Sequence, residues 1–320
     1  MTFNDNAQLD TSQVSGGGGG GFGRGGGGFG GGGGIRVGGG IGGLILLVLV
    51  VLFGGGVLDG GGQGTGTQPG GQGGPLVPSQ VSPGGAQPAS DFAQCRTGAD
   101  ANRNDSCLVI ATVNSVQAYW TSALPRYGKR YVPSKTVLYA GQTASACGTA
   151  SNQVGPFYCP LDALVYIDAS FFQELQTRFG ANGGQLAKEY VVAHEYGHHV
   201  QDLLGVLGKG QSDPQGPESG SVRLELMADC FAGTWVKHAT ETRDANGTPY
   251  LQPITAADIT SALSAASAVG DDRIQKATQG RVTPESWTHG SSAARQRWFT
   301  AGYTTGDINQ CDTFAVSSVE

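Results

Sequence analysis

The chain has 320 residues, 56 of them glycine, with 14% charged residues and a formal net charge of −6. That acidic balance and the lack of a basic stripe exclude the electrostatic footprint of a nucleic-acid binder, so no nucleic-acid partner is expected. The glycines crowd into the first third of the sequence, and this divides the chain before any motif is read.

Residues 1–36 read as a disordered, Gly-rich N-terminal tail. From Gly16 to Gly40 the sequence is nearly all glycine, broken by Phe22, Arg24, Phe29, Ile35, Arg36 and Val37. Such a stretch buries too little side chain to offset its ordering entropy. Its Phe-Gly elements are candidates for weak self-association. Residues 37–58 carry no charge and centre on an apolar run from Leu44 to Phe53. A bilayer-spanning helix needs about 20 such residues, so this segment reads as a transmembrane helix. Arg24 and Arg36 before it and Asp59 after it place the amino terminus in the cytoplasm and the rest of the chain outside, with one helix in the cytoplasmic membrane. Residues 59–90, rich in Gly, Pro, Gln and Ser, read as a flexible linker.

The remaining residues, 91–320, suit one α+β domain with helices dominant. All six cysteines lie here, an even set that fits an oxidising compartment but leaves many pairings open. The preferred set is Cys95 with Cys107, Cys147 with Cys159, and Cys230 with Cys311, the last tying the carboxyl end to a central helix. Helical spacing of Leu108, Val109, Val113, Val116, Tyr119 and Trp120 predicts a helix over 108–124. Residues 136–139 and 164–168 read as strands. The second is either a cleft edge on which a peptide lies extended or an interior strand. Further helices are expected over 171–179, 256–269 and 291–303.

The chemistry concentrates between these elements. The run Val191-Val192-Ala193-His194-Glu195-Tyr196-Gly197-His198-His199-Val200 contains an H-E-x-x-H pattern inside two apolar helical stripes. On a helix His194 and His198 lie one turn apart on one face, able to grip one zinc ion, with Glu195 beside it as general base. Gly197 weakens this helix by about 1 kcal/mol relative to alanine, which points to a close approach beneath the metal. A zinc site of this type needs a third protein ligand. Glu225 and Asp229 share a face of the apolar segment 221–235, so Glu225 is the candidate third ligand and Asp229 the carboxylate that orients His194. His289, outside both helices, is the candidate oxyanion stabiliser, with a structural turn histidine as the alternative. His199 points away from the metal face, His238 is too remote for catalysis, and Tyr196 reads as core. Arg295 and Arg297 read as internal ion-pair partners rather than substrate ligands.

These motifs resemble the predicted neutral zinc metallopeptidase family of bacteria, whose metal site is of the gluzincin type. The resemblance runs over about residues 91–315, through Gly155 to Pro160, Val165 to Asp168, Phe171 to Leu175, His194 to Gln201, Arg223 to Trp235 and His289 to Asp312. It implies a zincin-like fold, one Zn2+ per chain on His194, His198 and Glu225, Glu195 as base, and Asp229 as the supporting carboxylate. The expected substrate is a peptide or protein. Two other functions stay open: a surface-tethered binding or scaffold protein without turnover, and a zinc amidase acting on a non-protein envelope amide.

Overall fold

The computed structural model describes residues 2–17, 92–151 and 154–320. The expected span over 37–58, the glycine tract beyond Gly17 and the linker over 59–90 lie outside the described residues. Among the described residues no helix is long and apolar enough to cross a membrane. The helices are α1 (Gly98–Ala101), α2 (Asp105–Ala123), α3 (Phe171–Thr177), α4 (Gln185–Leu204), α5 (Gly208–Ser212), α6 (Gly220–His238), α7 (Ala256–Ala268), α8 (Asp271–Gln279) and α9 (Ser292–Thr305). The strands are β1 (Val14–Gly17), β2 (Lys135–Tyr139), β3 (Gln142–Ser145), β4 (Gly148–Ser151), β5 (Phe157–Cys159) and β6 (Leu164–Asp168). This is the expected α+β, helix-rich architecture.

Helix α2 is apolar around most of its circumference, from Leu108 through Trp120, and is accordingly a core element. Asn104 starts it by accepting the Cys107 N–H at 3.1 Å. Helix α4 packs against α2, α6 and α7, and ends where Gly205 takes the left-handed conformation, φ 74°. Helix α6 is capped by the Ser219 hydroxyl, which accepts the Val222 N–H, and packs along α9. Three disulfides form in the expected pairing, Cys95–Cys107, Cys147–Cys159 and Cys230–Cys311, with Cα separations of 5.0, 5.8 and 5.5 Å.

The main sheet has the order β1-β2-β6-β5, with β1 and β6 parallel to β2 and β5 antiparallel to β6. Strand β6 therefore takes the interior reading, since both its edges are paired. The edge beside the cleft belongs to β5, too short at three residues to show an alternating pattern.

The expectation of a disordered tail over 1–36 is corrected for residues 2–17, which belong to the folded body. Phe3, Ala7 and Val14 are buried, and β1 adds a parallel edge strand to β2. The segment's backbone is captured by side chains far away in sequence: Asn102 accepts the Phe3 N–H, Asp244 that of Gln8, and Asn114 that of Asp10. Gly98 is needed here, because a Cβ on it would sit 2.0 Å from the Asn4 carbonyl oxygen. Sparse apolar anchors joined by borrowed hydrogen bonds hold the segment in place, and neither leaves a period in the sequence.

Two outcomes follow from this packing. Phe3→Ala in the full chain should cost about 3 kcal/mol in urea unfolding, the scale for emptying a buried phenylalanine site; a loss below about 0.5 kcal/mol would show the segment undocked in solution. Glu189 on α4 is fully buried, and neither carboxylate oxygen has a hydrogen-bond partner among the described residues. Burial pushes its pKa up from 4.5 to about 8. The folded chain then binds a proton the unfolded chain releases, so stability should fall as pH rises from 4.5 towards 8. Glu189→Gln should flatten that slope, measured as the urea midpoint against pH, and an unchanged slope would assign it to other groups.

Candidate metal centre

Helix α4 presents His194 and His198 one turn apart, ring centroids 4.9 Å from each other. Helix α6 crosses directly beneath. Gly197 permits the crossing, since a Cβ there would lie 3.0 Å from the Ala228 Cα and 3.1 Å from its carbonyl oxygen. The close approach expected at this glycine is thus a helix-helix contact next to the ligand residues. It brings Glu225 against both imidazoles, with Oε2 3.2 Å from His194 Nε2 and Oε1 3.4 Å from His198 Nε2. One ligand atom from each of the three residues lies within 4.8 Å of the others, so the group can hold a metal ion.

The outer face of each ring shows which nitrogen is offered. His194 Nδ1 lies 2.8 Å from Asp229 Oδ1, and His198 Nδ1 lies 3.0 Å from Gln201 Oε1. The Gln201 amide is oriented by donating its Nε2 to the Leu224 carbonyl at 2.6 Å, which leaves its oxygen for the histidine. Each ring then donates its Nδ1–H outward and directs the Nε2 lone pair at the same point as Glu225. Two imidazoles and a carboxylate with outer partners in place are the donor set of a catalytic zinc site, so the residues fit the metal.

Asp229 is itself fully enclosed. Arg295 donates Nε to its Oδ2 at 2.8 Å and Nη2 to its Oδ1 at 3.0 Å, and the Tyr190 hydroxyl donates to Oδ1. Burial works to raise the Asp229 pKa, but Arg295 and His194 hold it below the usual carboxylate value. Glu225 is likewise opposed by burial, yet the proximity of His198 and His194 holds it well below its ordinary value. Glu195 is different: burial raises it, and the neighbouring His198 and His194 only partly pull it back. A carboxylate pushed up in this way is a better proton acceptor than a free one.

Both Glu195 and His289 line the cleft that holds the three ligand residues. His289 sits in the turn before α9, with Nδ1 3.2 Å from Asp271 Oδ1. The other Asp271 oxygen accepts the backbone N–H groups of Thr288, His289 and Gly290 at 2.8, 2.7 and 3.1 Å. Burial tends to lower the His289 pKa, and Asp271 overrides it and raises it.

All six residues singled out from the sequence, His194, Glu195, His198, Glu225, Asp229 and His289, are brought to one place. His199 turns away and meets the Val132 carbonyl and the Tyr158 hydroxyl. His238 pairs with Glu241 at the far end of α6, and Tyr196 bonds Thr136 in the core. Arg295 is an internal ion-pair partner, and Arg297 donates to the Val319 carbonyl. Sequence reasoning missed Gln201, Tyr190 and Asp271. The first two stand three residues after His198 and four before His194, spacings at which a helix brings side chains together; Asp271 has no local signal.

Comparison with known proteins agrees with this geometry. The family profile described as "Putative neutral zinc metallopeptidase" matches residues 20–314. The uncharacterized protein Rv2575 of Mycobacterium tuberculosis is 56% identical over 233 residues, 72% of this chain and 78% of its own length. The uncharacterized protein YpfJ of Escherichia coli K12 is 42% identical over 215 residues, 66% of this chain and 70% of its own. No solved structure matches the chain.

Metal titration checks the centre. The full chain should bind about one zinc, with large losses of affinity in His194→Ala, His198→Ala and Glu225→Ala. Asp229→Ala and Gln201→Leu, which disturb only the outer nitrogens, should weaken binding by about 10- to 100-fold. Unchanged affinity in the three ligand variants would remove the site.

Proposed function

Given that the chain belongs to the neutral zinc metallopeptidase family, we propose that it hydrolyses peptide bonds at the His194, His198 and Glu225 centre with Glu195 as general base. The observation that carries this reading is the division of labour on one helical turn. His194 and His198 converge with Glu225, while Glu195 stands outside that trio, buried in the same cleft. A bound zinc ion supplies Lewis acidity and brings the pKa of a water towards ~7. Glu195 takes a proton from the attacking water and passes it to the leaving amine. His289 stabilises the developing oxyanion, its ring fixed by Asp271 and biased towards the protonated, donating form. Arg295 is engaged by Asp229, Tyr190 and the Val269 carbonyl.

We also propose that the metal centre lies outside the cytoplasmic membrane, attached through the apolar stretch 37–58. The three disulfides support the oxidising side. The docked residues 2–17 change one part of the expected topology. They share a body with the metal centre, so a single crossing with a cytoplasmic amino terminus would require them to undock. The proposal therefore puts both on the same side, with attachment but no net crossing while the segment is docked.

Glu195→Gln should keep its zinc and fold while losing at least ~100-fold in peptide turnover, measured against unfolded proteins and peptide mixtures. A variant that cleaves at the wild-type rate would show that Glu195 is not the base; zinc-replete wild type that cleaves nothing would favour a binding protein. For the topology, an impermeable label applied to intact cells should reach an amino-terminal tag and the metal-centre domain alike. Protection of the tag alone would restore the single crossing.

A further inference from the structure

The turn that carries His289 is held from two sides. Asp271, the first residue of α8, accepts the N–H groups of Thr288, His289 and Gly290 on one carboxylate oxygen and meets His289 Nδ1 with the other. The next N–H along, that of Ser291, goes to a residue far away in sequence: Glu320 Oε1 accepts it at 3.0 Å. Two carboxylates thus take every N–H from Thr288 to Ser291. Ser291 caps α9, and its hydroxyl accepts the Ala294 N–H at 3.0 Å. A capping box would complete this helix end with a carboxylate at position 294 reaching back to the cap's own N–H. Alanine stands there, and Glu320 takes that part from outside the helix. The fit is close: a Cβ on Gly290, where φ is +88°, would lie 3.2 Å from Glu320 Oε1 and 3.1 Å from Val222 Cγ1 on α6.

Glu320 is itself delivered by the segment 312–320, which is fastened to α6 and to the residues leading into it. The Cys230–Cys311 disulfide ties its start to α6. Arg223 donates to the carbonyls of Thr313, Val316 and Ser317, the last two at 2.9 and 3.2 Å. Glu218 accepts the Ser318 hydroxyl at 2.6 Å and the Val319 N–H at 2.9 Å. Val319 is fully buried, and its carbonyl accepts the Trp298 indole N–H at 3.0 Å. We propose that residues 312–320 are a positioning strap for His289, and that Glu320, through the Ser291 N–H, sets where that imidazole stands relative to Glu225. Asp271 ties the turn to α8, which bears no metal ligand; the strap ties it to α6, which bears Glu225. The catalytic consequence rests on the peptidase reading above, because it needs His289 at the oxyanion. The placement of the turn does not.

The test uses the zinc-loaded full chain as wild type, Glu320→Ala, Glu320→Gln, His289→Ala and the double variant Glu320→Ala/His289→Ala. Amide hydrogen exchange reads the placement without reference to activity. Exchange at residues 288–291 should quicken by about tenfold in Glu320→Ala, the scale of one lost hydrogen bond to a charged group, while α4 and α6 exchange as in wild type. Unchanged exchange at 288–291 overturns the strap. Peptide turnover reads the consequence: kcat should fall by about tenfold in Glu320→Ala with KM and zinc content held, the pattern of a group that acts only in the transition state. Faster exchange with unchanged kcat overturns the link to the imidazole. In the His289→Ala background the same substitution should cost less than about twofold, since its effect passes through a side chain already removed. A full tenfold loss there would mark a general loosening and sink the positioning role. Glu320→Gln keeps an acceptor oxygen at the same reach and should recover most of the rate, and a loss as large as that of alanine would contradict the hydrogen-bond account. If wild type cleaves nothing while exchange at 288–291 still follows residue 320, the placement stands and the peptidase reading fails.

Discussion

The buried carboxylate of Asp229 is the constraint on which the metal centre rests. A charge with no solvent access is tolerated only when it is fully paired, and removing one partner of such a pair costs about 3–5 kcal/mol. Asp229 meets that condition with Arg295 from α9, Tyr190 and His194 from α4, and its own place on α6. Three helices are therefore registered by one side chain. The same contact turns His194 so that its Nε2 faces Glu225, which couples the packing of the helices to the chemistry they carry. Arg295 is taken up in this pairing through its Nε and Nη2.

Helix α4 can meet that constraint only by lying very close to α6. A residue larger than glycine at 197 would press on the Ala228 backbone, one residue before Asp229, and would push the two ligand-bearing helices apart. The helix-weakening effect of Gly197 is thus offset by the packing it allows. On the other side of α4, the sheet positions the cleft. Strands β2 and β6 form its interior, and the short edge strand β5, with Gly155 and Pro156 before it, borders the opening. The docked amino-terminal segment closes the far edge of that sheet, so a stretch that precedes a glycine tract is part of the body that holds the metal ligands.

The sequence carried the centre because its geometry is local. His194 and His198, and Glu225 and Asp229, are each four residues apart, and a helix converts that spacing directly into a shared face. The long helices were legible for the same reason, as were strands β2 and β6 with their β-branched and aromatic residues. What stayed hidden depends on contacts between distant residues. Arg295 reaches Asp229 across 66 positions, and Asp271 reaches His289 across 18. Helix α8, reading Asp-Asp-Arg-Ile-Gln-Lys-Ala-Thr-Gln, offers a single large apolar residue to a periodicity argument. Strand β1 contains two glycines and is stabilised by pairing with β2 rather than by its own propensity. Residues 2–17 read as a disordered tail because the neighbouring glycine tract dominates their composition, although Phe3, Ala7 and Val14 are each buried in the folded body.

The most direct test of the account is the identity of the atoms around the metal. Crystals of the zinc-loaded full chain, with diffraction data collected on both sides of the zinc absorption edge, would locate the ion without reference to activity. The account predicts one anomalous peak at about 2.0–2.1 Å from the Nε2 atoms of His194 and His198 and about 2.0–2.2 Å from a Glu225 oxygen. Asp229 and Gln201 should remain on the Nδ1 atoms. A zinc ion bound through Nδ1, ligated by Glu195 in place of Glu225, or found away from this cleft would contradict it.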